Sequence, residues 1–461
     1  MRIFVLIFFS AALLASGCRK EDKISYDPSA RLSFSGTSLF FDTLFTGVES
    51  ASRRVTIYNR HDHALRISWL KLGRGKGSPF DLIIDGKSAD SAGNIMVRGK
   101  DSLIVFIKAT VPPTAEVAAF DVRDSITVLI NGNRQSVELT AFGQNVNFYN
   151  DSIINQDRTW NNRLPYLVYR TLVVEANKTL TIQRGCRIYF HKDARLFVRG
   201  TLRVEGSFAE PVSFSGDRLE KLYTNLPGQW SGIHFSGTST NNLIRNAVIR
   251  NALTAIRSDS VQGIAPKLVL ANSIVKNMQV SGFSGYRTSL AAFNNLFYNC
   301  GQYLFYGAFG GTYNLKQNTF ANEGFIFPRQ MSSVYFSDFD PGKTPVITGE
   351  LSLTLVNNII WGSLATELVI ERKATTGAAT QLLLTNLFKT SNTSLLNPGN
   401  NFNADPFFIS PQAGIYRLGN MSPALNKGID LSMDPDFNNY LSVDLQNTKR
   451  NFPSEAGSYE N

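Results

Sequence analysis

Cysteine is nearly absent: the 461 residues hold three, at positions 18, 186 and 300. Three thiols cannot staple a disulfide framework, and their spacing offers no paired Cys-x-x-Cys ligands for zinc. Cys186 and Cys300 are expected as buried free thiols in apolar surroundings. Histidine is almost as scarce, and His61, His63, His191 and His234 are scattered. No metal set is visible, and neither a metal nor any other cofactor is expected. Long apolar runs are also missing. The longest, Ile3 to Leu14, would make about 18 Å of helix, too short for a hydrocarbon core of about 30 Å. A membrane-spanning helix is therefore not expected there, and the run reads as a secretory signal after Arg2.

That run ends in Leu14-Ala15-Ser16-Gly17-Cys18, small residues followed by cysteine. The pattern resembles a bacterial lipobox, which implies that residues 1–17 are removed and Cys18 carries the lipid. The first expected partner is thus a membrane, reached through acyl chains on one cysteine. The next residues are Arg19, Lys20, Glu21 and Asp22. Lys20-Glu21-Asp22 resembles the surface-export signal of Bacteroidota lipoproteins, which implies an outer-membrane protein facing outward; a periplasm-facing orientation is the alternative. Residues 18–29 are read as a linker.

What is present is short-period β texture, with 43% apolar and 18% charged residues, the balance of a globular chain. Residues 30–146 alternate apolar and polar in segments such as Arg54-Val55-Thr56-Ile57-Tyr58 and Ser102-Leu103-Ile104-Val105-Phe106, with an Asn131-Gly132 turn. Two-residue periodicity between such turns predicts an antiparallel β-sandwich. The segment Phe41 to Gly47, the turn at Asn59 and the closing Ala141-Phe142-Gly143-Gln144 resemble Ig-like modules that precede β-helices in bacteroidal lipoproteins. A spacer or docking role is what that resemblance implies.

After Val146 the strands shorten to three or four residues, as in Leu196-Phe197-Val198, Leu202-Arg203-Val204 and Val212-Ser213-Phe214. Bends every few residues, with no room for helices, predict a chain wound into coils stacked about 4.8 Å apart. An Asn-apolar unit recurs at Asn246, Asn272, Asn295, Asn318, Asn358 and Asn386; the first four lie 26, 23 and 23 residues apart, about one coil each. The next gaps of 40 and 28 imply inserted loops. Asparagine tolerates the left-handed bend between strands and can hydrogen-bond along a ladder of its own kind. The Ala194–Gly206 alternation, Trp230-x-Gly232-Ile233-x-Phe235, Ala404-Asp405-Pro406 and Ser422-Pro423-Ala424-Leu425 are similar to right-handed parallel β-helix proteins of the pectate-lyase-like superfold. The expected architecture is therefore all-β: an N-terminal Ig-like sandwich, a right-handed parallel β-helix over residues 147–430, and a C-terminal extension over 431–461 packing on its end.

The resemblance raises polysaccharide cleavage, so carboxylates are the test. Hydrolases of this fold need an acid–base cluster of Asp, and calcium-dependent lyases need several acidic oxygens. Between Tyr223 and Asn322 the only carboxylate is Asp259, against Arg245, Arg250, Arg257, Lys267, Lys276, Arg287 and Lys316. These seven form the candidate basic binding face, and no catalytic residue is assigned. Asp338 and Asp340 read as turn chemistry. A metal-independent lyase built on Tyr286, Arg287 and Asn294, acting on an acidic polysaccharide, is the alternative. The aromatic run Tyr298, Tyr303, Phe305, Tyr306, Phe309 and Tyr313 is expected to stack inward. A net charge of +10 suits a binder of polysaccharide or of another envelope protein. Nucleic acid is not expected, because no recognition motif accompanies the charge. Asp-Ser/Thr-apolar triplets beginning at Asp42, Asp90, Asp101, Asp124, Asp151 and Asp259 resemble the O-glycosylation acceptors of Bacteroidota.

The anchor has a direct check. Cys18→Ala should move the protein from the membrane fraction to the soluble fraction of lysed cells. Unchanged membrane retention would remove Cys18 as the lipid site.

Overall fold

The computed structural model describes residues 22–260, 266–324, 327–374, 380–395 and 399–461. Cys18, Lys20 and Glu21 lie outside them. The chain divides at Asn145 and Val146 into two compact units. No helix among the described residues is long and apolar enough to cross a membrane.

The first unit is a sandwich of two five-stranded sheets. Alternation does what the pattern predicts: Val55 and Ile57, Val105 and Ile107, and Ile126, Val128 and Ile130 all point into one core. Its named strands pair antiparallel except at one edge, where Ser38–Phe45 runs parallel to Asn133–Gln144. Asn59 is buried and clamps a turn, its Nδ2 donating to the carbonyls of His63, Val97 and Arg98 at 2.8, 3.0 and 2.9 Å. The unit begins earlier than residue 30. Ile24 bridges Ala64, and Asp22 pairs with Arg98 at 3.0 Å, so residues 22–25 are part of the sandwich rather than linker.

The second unit is the expected β-helix, in which 25 strands among the described residues are hydrogen-bonded in one continuous winding. Each coil contributes to three faces. Face A carries Arg195–Val198, Gly232–Phe235, Thr254–Ser258, the first half of Ser281–Phe293, the first half of Tyr303–Lys316, Val334–Ser337 and Leu368–Glu371. Face B runs from Thr179–Gln183 through Thr201–Glu205, Asn242–Arg245 and Leu268–Ala271 to Leu351–Val356 and Gln381–Leu384. Face C runs from Arg187–Phe190 to Asn401–Phe402. Parallel in-register pairing stacks like on like inside. Leu196, Ile233, Ile256, Phe283, Phe305, Val334 and Leu368 form one inward column on face A. Within it the Phe283 and Phe305 rings lie 4.7 Å apart. Cys186 and Cys300 are both buried free thiols, and burial pushes Cys186 up to about 11.

The coils end sooner than residue 430. The last coil strand is Asn401–Phe402, and Phe408–Ser410 pairs antiparallel with Ile415–Leu418 as a separate hairpin. The C-terminal extension therefore begins just after the coils, about thirty residues before 431 by chain count, and it packs along their sides as well as near their end.

The asparagine repeat turns out to do two jobs at adjacent positions of the B-to-C corner. Asn295 Nδ2 donates to Asn318 Oδ1 (3.0 Å), Asn318 to Asn358 (3.0 Å), Asn358 to Asn386 (2.9 Å) and Asn386 to Asn400 (2.9 Å). Each of these acceptor oxygens also takes the backbone N–H of the preceding rung, at 2.9–3.0 Å. One residue earlier stand the left-handed positions, Asn246, Asn272, Asn294, Gln317, Asn357 and Thr385, with φ between 48° and 58°. Asn246 and Asn272, expected in the ladder, are thus bend residues, and Ala247 and Ser273 fill the rung position beside them. Two recurrent asparagines one place apart look like a single repeat in sequence.

Asn318→Ala would leave the N–H of Asn295 without its acceptor, take one of the two bonds of Asn295 Nδ2, and remove a donor from the carbonyls of Ala292 and Lys316 inside the fold. Unmet buried groups cost about 1–3 kcal/mol each, so a loss of about 3 kcal/mol or more is expected. Asn246→Gly keeps its bend and should cost about 1 kcal/mol, by loss of one hydrogen bond to Gly206. Urea midpoints of the two variants check the contrast.

Candidate functional site

Which face can meet a ligand is decided by the C-terminal extension. On face B, Ala271, Ala291, Phe293 and Val356 pack against Leu431 and Leu441. On face C, Leu296, Tyr298 and Ala321 pack against Tyr416, Leu445 and Tyr459, while Ile359, Trp361 and Leu387 meet Leu418, Ala424 and Ala456. Among the described residues, the apolar clusters that join the extension to the coils lie on faces B and C and involve no face A residue.

The outward residues of face A make a continuous chain of contacts. In register order they are Phe197, His234, Arg257, Ser284, Tyr306 and Tyr335. The His234 ring meets Phe197 edge-on at 4.8 Å. Its Nε2 lies 2.6 Å from Asp259 Oδ2, and Arg257 Nε donates to Asp259 Oδ1 at 2.9 Å. The Arg257 guanidinium lies 5.0 Å from the centre of the Tyr286 ring. Tyr286 is 5.9 Å from Tyr306, which stacks on Tyr335 at 5.3 Å with 10° between planes. Tyr303 sits 4.9 Å from Tyr306 and 6.0 Å from Tyr335. Tyr335 then donates to Glu371 at 2.8 Å. The four tyrosines are half-buried, flanked on one side by the His234–Asp259–Arg257 triad and on the other by Glu371.

The electrostatics of the stripe are self-contained. Burial raises Asp259, but the hydrogen bonds from His234 and Arg257 and their charges outweigh it and hold the carboxyl at about 2. Burial holds Tyr303, Tyr306 and Tyr335 above the usual phenol range, with the Glu371 carboxylate adding to each shift. The rings therefore stay protonated, able to offer hydroxyls and stacking faces. Tyrosinate chemistry is not available to them near neutral pH.

The seven basic residues do not converge on one face. Lys267 is buried, 1% exposed, with its ammonium on the carbonyls of Ser236 and Asp259 at 2.5 and 2.6 Å, and burial drops it to about 8. Lys316, on face B, is 7% exposed and paired with Asp434 and Asp436 of the extension at 2.6 and 3.2 Å. Lys276 and Arg250 are neighbours on face C, where burial and Arg250 lower Lys276. Arg245 ends a face B strand, and Arg287 occupies the A-to-B bend with φ 51°, over the Phe309 ring at 5.4 Å. Only Arg257 stands on the open face, and Asp259 neutralises it. The excess of base in the middle coils was legible; the burial of two lysines and the acidic partners waiting in the extension were not.

The Tyr286, Arg287 and Asn294 trio is not assembled either. Asn294 is buried under the extension, donating to the carbonyls of Tyr440 and Val443 and accepting from Arg450. The aromatic run divides. Phe305 and Tyr313 point inward as expected, Tyr298 is covered by Tyr416, and Tyr303 and Tyr306 stand outward on face A. Asp338 accepts from the backbone of Lys373 and Ala374, and Asp340 from Gly342, which is turn and loop chemistry. Among the described residues no group of three His, Cys, Asp or Glu side chains is placed to hold a metal ion.

No family model matches the chain, and no curated protein matches it. It is similar over part of its length to the E. coli chaperone DraB, with 12% identity, a TM-score of 0.18, and coverage of 25% of this chain and 56% of that one. A second similarity is to a family 123 glycoside hydrolase from Clostridium perfringens, at 10% identity and a TM-score of 0.17, covering 24% of this chain and 26% of that one. A third is to a protein of unknown function from Porphyromonas gingivalis W83, at 11% identity and a TM-score of 0.19, covering 27% and 60%. The chain thus spans less than two thirds of each of these structures, and likeness at this level carries no functional argument.

Asp259 provides a pH test. A carboxyl whose pKa falls from 3.8 to about 2 on folding stabilises the fold above pH 3.8, and that stabilisation is lost as pH falls through 2. Wild type should therefore exceed Asp259→Asn in denaturation midpoint near neutral pH. The gap should close as the solution is acidified towards pH 2. A gap independent of pH would show that the triad's charge is not what braces the stripe.

Proposed function

We propose that this chain is a non-catalytic, envelope-anchored lipoprotein that binds glycan along face A of its β-helix. Its anchor would be a lipid on Cys18, with Lys20-Glu21-Asp22 directing it outward. The observation that carries the reading is the tyrosine stripe on the one face that the extension leaves open. Stacked aromatic faces with fixed hydroxyls suit sugar rings, which present apolar C–H faces between equatorial hydroxyls. From His234 to the last coil the stripe spans five coil steps, about 24 Å at about 4.8 Å each, which is a length for an oligosaccharide.

Charge selects among glycans. Arg257 is paired with Asp259, and the far end carries the Glu371 carboxylate, so the stripe from His234 to Glu371 offers a polyanion no unpaired arginine or lysine. Neutral glycans fit better than acidic ones, contrary to what the overall charge of +10 suggests. Cleavage of an acidic polysaccharide has less support, because Lys267, the lysine lowered to about 8, has its ammonium on protein carbonyls.

A panel of neutral and uronic-acid polysaccharides in affinity electrophoresis tests this reading. The expected result is retardation by a neutral glycan that differs little between low and high salt. Tyr306→Ala with Tyr335→Ala should weaken it about thirty-fold, at about 1 kcal/mol per stacked ring. Retardation by uronic-acid polymers alone, or ultraviolet absorbance from unsaturated ends, would overturn it in favour of a lyase. An empty panel with a protein recovered on the stripe would replace glycan by a protein partner.

A further inference from the structure

A second recess lies away from the stripe, in the crease where the extension crosses the coils near the B-to-C corner. It encloses about 270 Å³. One wall is the turn after Thr201–Glu205 with the end of Asn242–Arg245; the other is the extension around Asn439 to Asn447. Both walls are fixed to each other. Asn272 Nδ2 donates to the Asp444 carbonyl at 3.2 Å, and Asn294 Nδ2 to that of Val443 at 2.8 Å.

The groups left over in this recess have a definite chemistry. Arg245 is exposed and has no ion-pair or hydrogen-bond partner among the described residues; its register neighbour Glu205 is paired with Arg203 at 2.9 Å. The side-chain amides of Asn439 and Asn447 are likewise unpartnered among the described residues. The one carboxylate in the lining, Asp444, is buried and spent on the backbone N–H groups of Gln446, Thr448 and Glu460 at 2.8, 2.7 and 2.9 Å. Phe208 stands at the rim with 57% of its surface exposed, a large ring left in water beside a polar hollow. A free guanidinium, two free amides and an exposed ring are the donor set for one anionic group on a hydroxylated ring. The volume falls just below the range of about 300–1,000 Å³ typical of drug-sized ligands, which suits a single sugar unit and not a chain.

We infer that this crease is a binding site for one acidic sugar unit, with Arg245 holding its carboxylate or phosphate, Asn439 and Asn447 its hydroxyls, and Phe208 its apolar face. The site is independent of the stripe on face A. It also gives an exposed arginine of the middle coils a role that the open face does not.

Titration calorimetry and amide NMR with glucuronate, glucose 6-phosphate, glucose and inorganic phosphate test the assignment. Saturable binding of either sugar anion is expected, and which one binds tells a carboxylate source from a phosphate source. Arg245→Gln, at an exposed position, should weaken it ten-fold or more. Asn447→Gly, which keeps the left-handed backbone at φ 63°, should weaken it several-fold. Tyr306→Ala should leave it unchanged, so that failure here and failure of the stripe are told apart. Equal binding of glucose or of inorganic phosphate, an unaffected Arg245→Gln variant, or no saturation by either sugar anion would each overturn the proposal.

Discussion

Parallel in-register pairing between successive coils is the constraint on which the second unit depends. Each strand places its residues one coil spacing above the equivalent residues of the last, so whatever stands at one position is repeated or answered at the next. Identical side chains then stack, which favours residues that gain from self-contact: phenylalanines within, asparagines at the corner, tyrosines on the open face. The inner column from Leu196 to Leu368 and the outer stripe from Phe197 to Tyr335 are neighbouring columns of the same register. Core and candidate site thus share one cause.

The extension converts this repetitive body into one with distinct faces. A bare stack would expose three similar surfaces. Here Leu431 and Leu441 close part of face B, and Tyr416, Leu418 and Tyr459 close part of face C. The extension is itself fastened by buried charge. Arg450 pairs with Glu460 at 3.0 Å and donates to Asn294 at 2.8 Å, with both charged side chains almost fully enclosed. Lys316 adds a second fastening through Asp434 and Asp436. Removing one partner of such a buried pair costs more than the pair contributes, because the other charge is left uncompensated. Much of the basic charge of the middle coils is therefore structural.

Local pattern was enough to see the sandwich, the coils and the asparagine recurrence, because each depends on residues a few positions apart. The separation of bend from rung needed more than pattern, since Asn272 and Asn295 are the same residue type and differ in backbone hand and in where the amide reaches. The basic face failed for a related reason. Lys316 and Asp434 are far apart in sequence, and nothing near either announces the other. The tyrosine stripe draws on Tyr286, Tyr303, Tyr306 and Tyr335 from three coils, and only register brings them together. The linker boundary moved because one isolated bridge, Ile24 to Ala64, has too little sequence to read.

The corner ladder bears on how such a molecule can change length over time. Along the ladder each rung meets only the rungs directly above and below, and the step of 40 positions from Asn318 to Asn358 is accommodated without breaking the bond between them. Duplication of a whole coil within the ladder would leave every rung with the same kind of neighbour, so the ladder by itself does not fix the number of coils. The extension constrains what the ladder leaves free, because it is fitted to particular side chains of the same coils, from Ala271 to Leu387. The number of coils is thus set by what packs on the stack and not by the ladder within it.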